Sequence, residues 1–501
     1  MEVKMKKGFV LIVALAIAFS LFVGTSSAFA QSARNASWEV SITYQNVGDA
    51  STNVTMFFYE EGSASYTEYG PIALEAGAGT SLWIGKVSLP SSFRGSAVLS
   101  SSSEPIVATA VQFSSDAGFK MRLLSNGFTP EQSSEKVLIG TTLAQTFDRT
   151  TIFSIQNVEG EAVTATVEFF NTNGSSVGTV DYDIPAYSTK YIEMDMTGDT
   201  GLSSSTFNGS AVVTGKKSDN SDAMLVAGVS ELYTDRPVAA NFEGIPLSNA
   251  ANTIYMATGL CENFGLDSFY AVQNADTVNA TITVNYYDKN GNPVAEDGPY
   301  TIGPGQKKSI RTCDPNDNTN MSGFTGSAVV ESTGGKIVAI GKAQGSLNAP
   351  EAGKQNVFAI FMGENAGASK QALPFVRWAN DTNFYAASNT GGKQRAYIAV
   401  QNLESTQSKF NCFYYDKNGD LVSTHVLTIP GNSKENTNAS LANALGKNGM
   451  VTGEFGYYTD GSFGGAVIIE AHPDNPTAKF IAISRVQHPG AGEDYNAVPV
   501  P

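Results

Sequence analysis

One pattern recurs four times along this chain. An apolar strand ends in Gln-Asn at Gln45-Asn46, Gln156-Asn157, Gln273-Asn274 and Gln401-Asn402, and a following strand ends in paired aromatics at Phe58-Tyr59, Phe169-Phe170, Tyr286-Tyr287 and Tyr414-Tyr415. Further on, each copy carries a glycine-led strand: Gly95-Ser96-Ala97-Val98, Gly209-Ser210-Ala211-Val212, Gly326-Ser327-Ala328-Val329 and, more loosely, Gly465-Ala466-Val467-Ile468. Successive Asn anchors lie 111, 117 and 128 residues apart, too far for a solenoid unit and suited to units that each bury a core.

Within a copy the period is two. Ile282, Val284 and Tyr286 alternate with polar residues in Ala280 to Tyr287, and the matching triplets are Val54, Met56, Phe58, then Ala165, Val167, Phe169, then Phe410, Cys412, Tyr414. Tight turns follow, clearest at Asp288-Lys289-Asn290-Gly291 and Asp416-Lys417-Asn418-Gly419, where Asn-Gly supplies the positive φ a hairpin requires. About seven short strands per copy, with turns between and no convincing amphipathic helix, predict an all-β chain of four tandem antiparallel immunoglobulin-like β-sandwich modules.

The first thirty residues read as a signal peptide. Lys4, Lys6 and Lys7 precede the apolar stretch Phe9 to Val23, and Ala28-Phe29-Ala30 supplies small residues before Gln31. The expected segments are therefore a signal peptide at 1–30 and modules at 31–127, 128–241, 242–360 and 361–501, the last with a C-terminal tail. The boundaries follow Phe-rich connectors at Phe128-Thr129-Pro130, Phe242 to Pro246 and Phe361-Met362-Gly363; the longest connector, Ala349 to Arg395, reads as a mobile excursion. Removing Glu2, Lys4, Lys6 and Lys7 takes the formal charge from −16 to −18, which disfavours nucleic acid as a partner. After cleavage no segment is apolar and long enough to span a bilayer as a helix. Secretion to the extracellular space or cell surface is the expected location.

The Asn-x-Gly strand ending at Asn46-Val47-Gly48, followed by a strand of paired aromatics and a Gly turn, resembles the bacterial cell-adhesion-related domains and similar immunoglobulin-like repeats of exported surface proteins. Copies two to four depart from it with Asn157-Val158-Glu159-Gly160, Asn274-Ala275-Asp276 and Asn402-Leu403-Glu404. The resemblance implies surface architecture or adhesion and carries over no catalytic residues.

No enzyme is expected. His425, His472 and His488 are the chain's three histidines, and no nucleophile elbow, zinc-binding pair or phosphate loop accompanies them. No cofactor is expected, calcium being the one candidate: Asp314 and Asp317 in Asp314-Pro315-Asn316-Asp317-Asn318 are weak ligands without the twelve-residue loop and its terminal Glu. Cys261 and Cys313 form a possible disulfide in an exported protein, while Cys412 sits at an inward strand position as a buried thiol. The outward aromatics Tyr59, Phe170, Tyr287 and Tyr415 form a possible binding or packing face.

Two functions follow. The first is a non-catalytic spacer, surface-layer or filament subunit that self-associates or joins other surface proteins; the second is an adhesin binding glycan or another surface through the outward aromatics. The modules are expected in a row. The first begins at Trp38 with no first strand of its own, and the C-terminal Tyr495 to Val500 echoes a connector. That tail either docks on the first module of a second subunit or folds back on its own fourth module.

Overall fold

The computed structural model describes residues 10–13, 32–114, 121–314, 321–346, 357–386, 393–441, 443–444, 456–457, 463–488 and 491–500. The fold is all-β and antiparallel, with two single-turn α-helices among the described residues, α1 (Thr197–Thr200) and α2 (Asp381–Phe384). Each sequence copy contributes eight main strands, which pair in one recurring pattern. In the second copy these are Lys136–Ala144, Arg149–Asn157, Val163–Asn171, Ser176–Ile184, Thr189–Glu193, Phe207–Lys217, Leu225–Tyr233 and Ala239–Glu243. The first, sixth, third and fourth strands lie side by side in one sheet; the fifth, second, seventh and eighth make the other. The same two orders recur in the other copies, and in the fourth the sheets join through the Trp378 and Arg395 pairing.

The alternation read from sequence explains where the core sits. Val54, Met56, Phe58, Ala165, Val167, Phe169, Ile282, Val284, Phe410, Cys412 and Tyr414 are at most 1% exposed, and Tyr286 is 2% exposed. Each triplet faces apolar residues of the second and seventh strands across a β-sandwich-like interior. The leading glycine of each sixth strand is required by close approach: a Cβ at Gly95, Gly209, Gly326 or Gly465 would meet the carbonyl oxygen of the paired aromatic at 1.9 to 2.2 Å.

Two expectations change and one alternative is decided. Two of the three Phe-rich connectors fall in strands, Ala239–Glu243 and Phe358–Met362, while Phe128-Thr129-Pro130 follows the strand Arg122–Asn126; these are eighth strands, so each copy has eight rather than seven. The stretch from Ala349 to Arg395 holds Phe358–Met362 and Lys370–Trp378 as strands, while residues 347–356 and 387–392 lie outside the described ones. The tail folds back: Ala491–Asn496 pairs with Phe480–His488, and Val498–Pro499 pairs with the first strand of its own fourth copy.

The copies do not stand in a row. The turn after the aromatics of copies one, two and three meets the turn before the fifth strand of the next copy, and the turn of copy four returns to copy one, where Gly419 packs on Ala76 and Ala78. The result is a closed ring. The four eighth strands pack around its axis, and the first strands of copies two, three and four are covered outside by the second and seventh strands of the next copy, that of copy four by copy one; at the first of these joints Gly140 faces Ile340.

Substituting Val284 by Asp places an unpaired carboxylate in a fully enclosed site. The expected cost is about 4 kcal/mol or more, read as loss of the cooperative transition of the third copy in differential scanning calorimetry. Retention of the full transition temperature would show that Val284 is not a core residue.

Candidate functional site

The outward aromatics converge on the joints of the ring. Each pairs across strands with the second residue of the glycine-led motif: Tyr59 with Ser96, Phe170 with Ser210, Tyr287 with Ser327 and Tyr415 with Ala466. Such a pair presents an aromatic face and a hydroxyl together. The hydroxyls of Ser96, Ser210 and Ser327 donate to the carbonyls of Tyr187, Gly305 and Asn432 at 3.1, 3.0 and 3.1 Å, each in the next copy. Those three acceptors, and Gly77 at the fourth joint, occupy the positive-φ place of the same turn, with φ from 58 to 72°. Tyr59 is buried with its ring 5.7 Å from that of Tyr187; Phe170 and Tyr415 are half-buried against Gly305 and Gly77, where a Cβ would come within 2.7 and 3.0 Å of the ring. Tyr287 is half-buried beside a turn whose Gly291 meets Gly431.

Side chains on the receiving turn answer back. Ser188 Oγ donates to the Glu60 carbonyl at 3.0 Å, Gln306 Nε2 to the Thr172 carbonyl at 2.9 Å, and Ser433 Oγ to the Lys289 carbonyl at 2.6 Å. The Asn anchors do another job, inside one copy. Asn157 Nδ2 donates to the carbonyls of Glu161, Ile184 and Pro185 while its Oδ1 accepts from the Glu159 amide, and Asn46, Asn274 and Asn402 repeat the arrangement. This fixes the turn that the preceding copy grips.

Two polar clusters escaped the sequence reading. At the ring axis, Asn126, Glu243, Met362 and Asn496 hold equivalent places in the eighth strands, opposite Thr109, Gly228, Ile340 and Ile483. The Asn126 amide donates to Glu243 Oε1 at 2.6 Å, Asn126 Nδ2 to the Asn496 carbonyl at 2.7 Å, and Asn496 Nδ2 to Glu364 Oε1 at 2.8 Å. Glu493 accepts from the Asn241 amide at 3.3 Å. Burial pushes the Glu243 and Glu364 carboxyls up to about 7, and lifts Glu493 well above the usual range with help from the neighbouring Asp494. Glu243 and Glu364 keep a sliver of solvent contact, which limits what this costs in stability.

The second cluster lies between copies two and three, in a cleft of about 590 Å³. Lys307 Nζ crosses the joint to Asn208 Oδ1 at 2.8 Å and Thr141 Oγ1 at 3.2 Å. Burial, with Lys342 nearby, pulls its pKa down to about 7. Behind the lining residues Arg149 and Lys342, Glu231 accepts from Arg149 at 2.7 Å and from Lys342 of the next copy; burial opposes its ionisation, but those two cations hold it down at about 2. Lys308 and the faces of Phe147 and Phe269 also line the opening. Lys434 repeats the Lys307 contact at the next joint, donating to Thr258 Oγ1 at 2.9 Å. The recurrence of Lys307 and Lys434 just inside equivalent fifth strands was the sequence signal available for it.

The other candidates resolve individually. Cys261 and Cys313 are disulfide-bonded, with Cα atoms 5.1 Å apart, and Cys412 is a buried thiol. Asp314 is described and Asp317 lies outside the described residues; among the described residues no group of three or more His, Cys, Asp or Glu is arranged to hold a metal ion. Asp288 Oδ1 accepts from the amides of Asn290 and Asn292, and Asp416 Oδ1 from those of Asn418 and Asp420, so these carboxylates serve their own hairpin turns. The His425 ring bonds Thr437 at 2.6 Å, and His472 Nδ1 accepts from the Asp474 amide at 3.1 Å. In comparisons with known proteins, no family model and no curated protein matches the chain.

The axial carboxyls set the sign of a pH dependence. With folded-state pKa values above the unfolded one, their contribution is intact below about pH 4.5 and is lost as pH rises through 7. Substituting Glu243 by Gln is expected to flatten the decline in melting temperature between pH 5 and 8, by on the order of 1 kcal/mol. An unchanged profile would place the titration elsewhere.

Proposed function

We propose that this chain is an exported, non-catalytic structural protein of four immunoglobulin-like modules, a closed ring acting as a building block of a surface layer or filament. The observation that carries the reading is the use of the repeated outward residues. Tyr59, Phe170, Tyr415 and the serines Ser96, Ser210 and Ser327 face the next copy, so the repetition serves the joints between copies. Serial repeats that spend their outward residues on each other form a scaffold whose outer rim is left for assembly. Signal cleavage, secretion and self-association or union with other surface proteins belong to this reading.

A second reading, glycan adhesion, is favoured by the cleft between copies two and three rather than by the repeated aromatics. Lys307, Lys308 and Lys342 beside Phe269 and Phe147 form a positive, aromatic-lined opening in an acidic protein, which suits a sugar carrying carboxylates.

One experiment separates the two. The purified exported protein is imaged by negative stain across a concentration series and applied to an array of neutral and acidic oligosaccharides. The structural reading expects compact rings that assemble side by side as concentration rises, with no array signal. Binding to acidic oligosaccharides that falls at least tenfold in both Lys307→Met and Phe269→Ala, from rings that stay monomeric, would establish the adhesin reading instead.

A further inference from the structure

The first copy builds its first strand from the wrong part of the chain. In copies two, three and four that strand has nine residues: Lys136–Ala144, Thr253–Cys261 and Lys370–Trp378. In copy one the described residues beside Gly95–Ser101 are Val10–Val13, with Val13 opposite Ala97 and Val10 opposite Ser100. The register matches that of the second copy, where Ile139 stands opposite Ala211 and Lys136 opposite Thr214. Val10 to Val13 fall inside the apolar stretch of the segment read as a signal peptide.

Chain beyond the cleavage site does not replace it. Residues 33–35 form a single 3-10 turn pinned to the second copy: the Ala33 amide donates to the Arg236 carbonyl at 2.9 Å, and Arg34 pairs with Asp195 at 2.8 Å and with Glu193. Ala33 and Ala36 are buried there against Ile152 and Leu232. Trp38 already opens the second strand. The C-terminal strand is paired within the fourth copy.

We propose that export leaves the first copy one strand short, and that the vacated slot is filled by an extended apolar strand donated by a separate exported polypeptide. This rests on the reading of residues 1–30 as a cleaved signal peptide. The slot specifies its donor. One edge is the backbone of Gly95–Ser101, which offers antiparallel hydrogen bonds. The inner wall is the core around Ala97 and Leu99, both fully buried, and the positions that face it in the other copies are Ile139, Met256 and Leu373, all 0% exposed. By correspondence with the other joints the outer wall is the second copy's face, where Ser154, Val226 and Gly228 stand in the places of Ala271, Val338 and Ile340 of the third. A donor enclosed on both sides must be uncharged and apolar at successive positions.

The outer wall adds a size rule. In the second copy's strand Gly140 faces Ile340, whose Cγ2 is 3.9 Å from a Cβ built there. Gly228 replaces that isoleucine in the wall of the first slot, so a donor residue at the position of Gly140 has room for a large side chain.

The test begins with the intact mass of the exported protein. Retention of residues 1–30 would overturn the signal reading and this inference with it, and leave the ring architecture standing. With the chain starting at Gln31, two labelled peptides serve as probes: the sequence of residues 136–144, and the same peptide carrying Leu for Gly140. Fluorescence anisotropy is expected to show saturable one-to-one binding, at least tenfold tighter for the Leu peptide, and binding should slow hydrogen exchange at residues 96–101. A chain with residues 133–148 fused ahead of Gln31 through a Gly-Ser linker should bind neither. Absence of binding to the Gln31 chain would overturn the proposal, whether its residues 96–101 exchange rapidly or are already as protected as residues 210–214.

Discussion

Burial of the first strands of copies two, three and four between their own sheet and the face of the following copy is the contact on which the ring depends. A sandwich whose outer sheet face is polar needs no neighbour, but here Ala271, Val338 and Ile340 of copy three share one apolar cluster with Val137, Ile139 and Phe242 of copy two. The same relation joins Ala399, Ile481 and Ile483 to Ile254 and Met256. Apolar area removed from water contributes about 25 cal/mol per Å², so every joint adds to the stability of two copies at once. The curvature follows from geometry. One face of a sheet meets the edge strand of the previous one, and the succession of copies closes on the axis where the eighth strands meet.

Much of the interior was legible in the sequence because period-two alternation reports a buried face directly. The inward triplets, the Asn anchors and the Asn-Gly hairpin turns all depend on residues within one copy, and their chemistry has few alternatives. The ring was not legible. Tyr415 and Gly77 are far apart in sequence, and an outward aromatic on a strand looks the same whether it awaits a sugar or a neighbouring turn. Ser96, Ser210 and Ser327 recurred on the same outward side as those aromatics, and that pairing was the available sign of a protein joint. The eighth strands were hidden for another reason: Gly244 and Gly363 follow them immediately, and a glycine after a short Phe-containing run reads as a connector.

The polar groups at the centre are placed against the usual economy of a core. Glu243, Glu364 and Glu493 approach one another around the axis, and Asn126, Asn241 and Asn496 meet them with amide donors. Buried polar groups with defined partners are costly to misplace, since a shifted strand would leave them unpaired. Four similar eighth strands packed through apolar contacts alone would tolerate slippage. An Asn in copies one and four, a Glu in copy two and a Met in copy three at the equivalent position give every strand a different partner.

The four joints are similar in shape and different in chemistry. Three carry a serine on the giving side and a Ser or Gln on the receiving turn, with hydrogen bonds in both directions. The joint from copy four to copy one has Ala466 and Ala78 at those positions and so makes neither bond. Its cohesion is apolar: Val47 and Val107 of copy one lie in a single cluster with Ala372, Ile468, Val498 and Val500 of copy four, and Tyr415 packs against it. The last residues of the chain thus cover the seam that joins its end to its beginning. A joint whose turn lacks the paired hydrogen bonds of the other three sets the register of that turn by shape, which suits the closing step of a ring, where small errors accumulated over three earlier joints have to be absorbed.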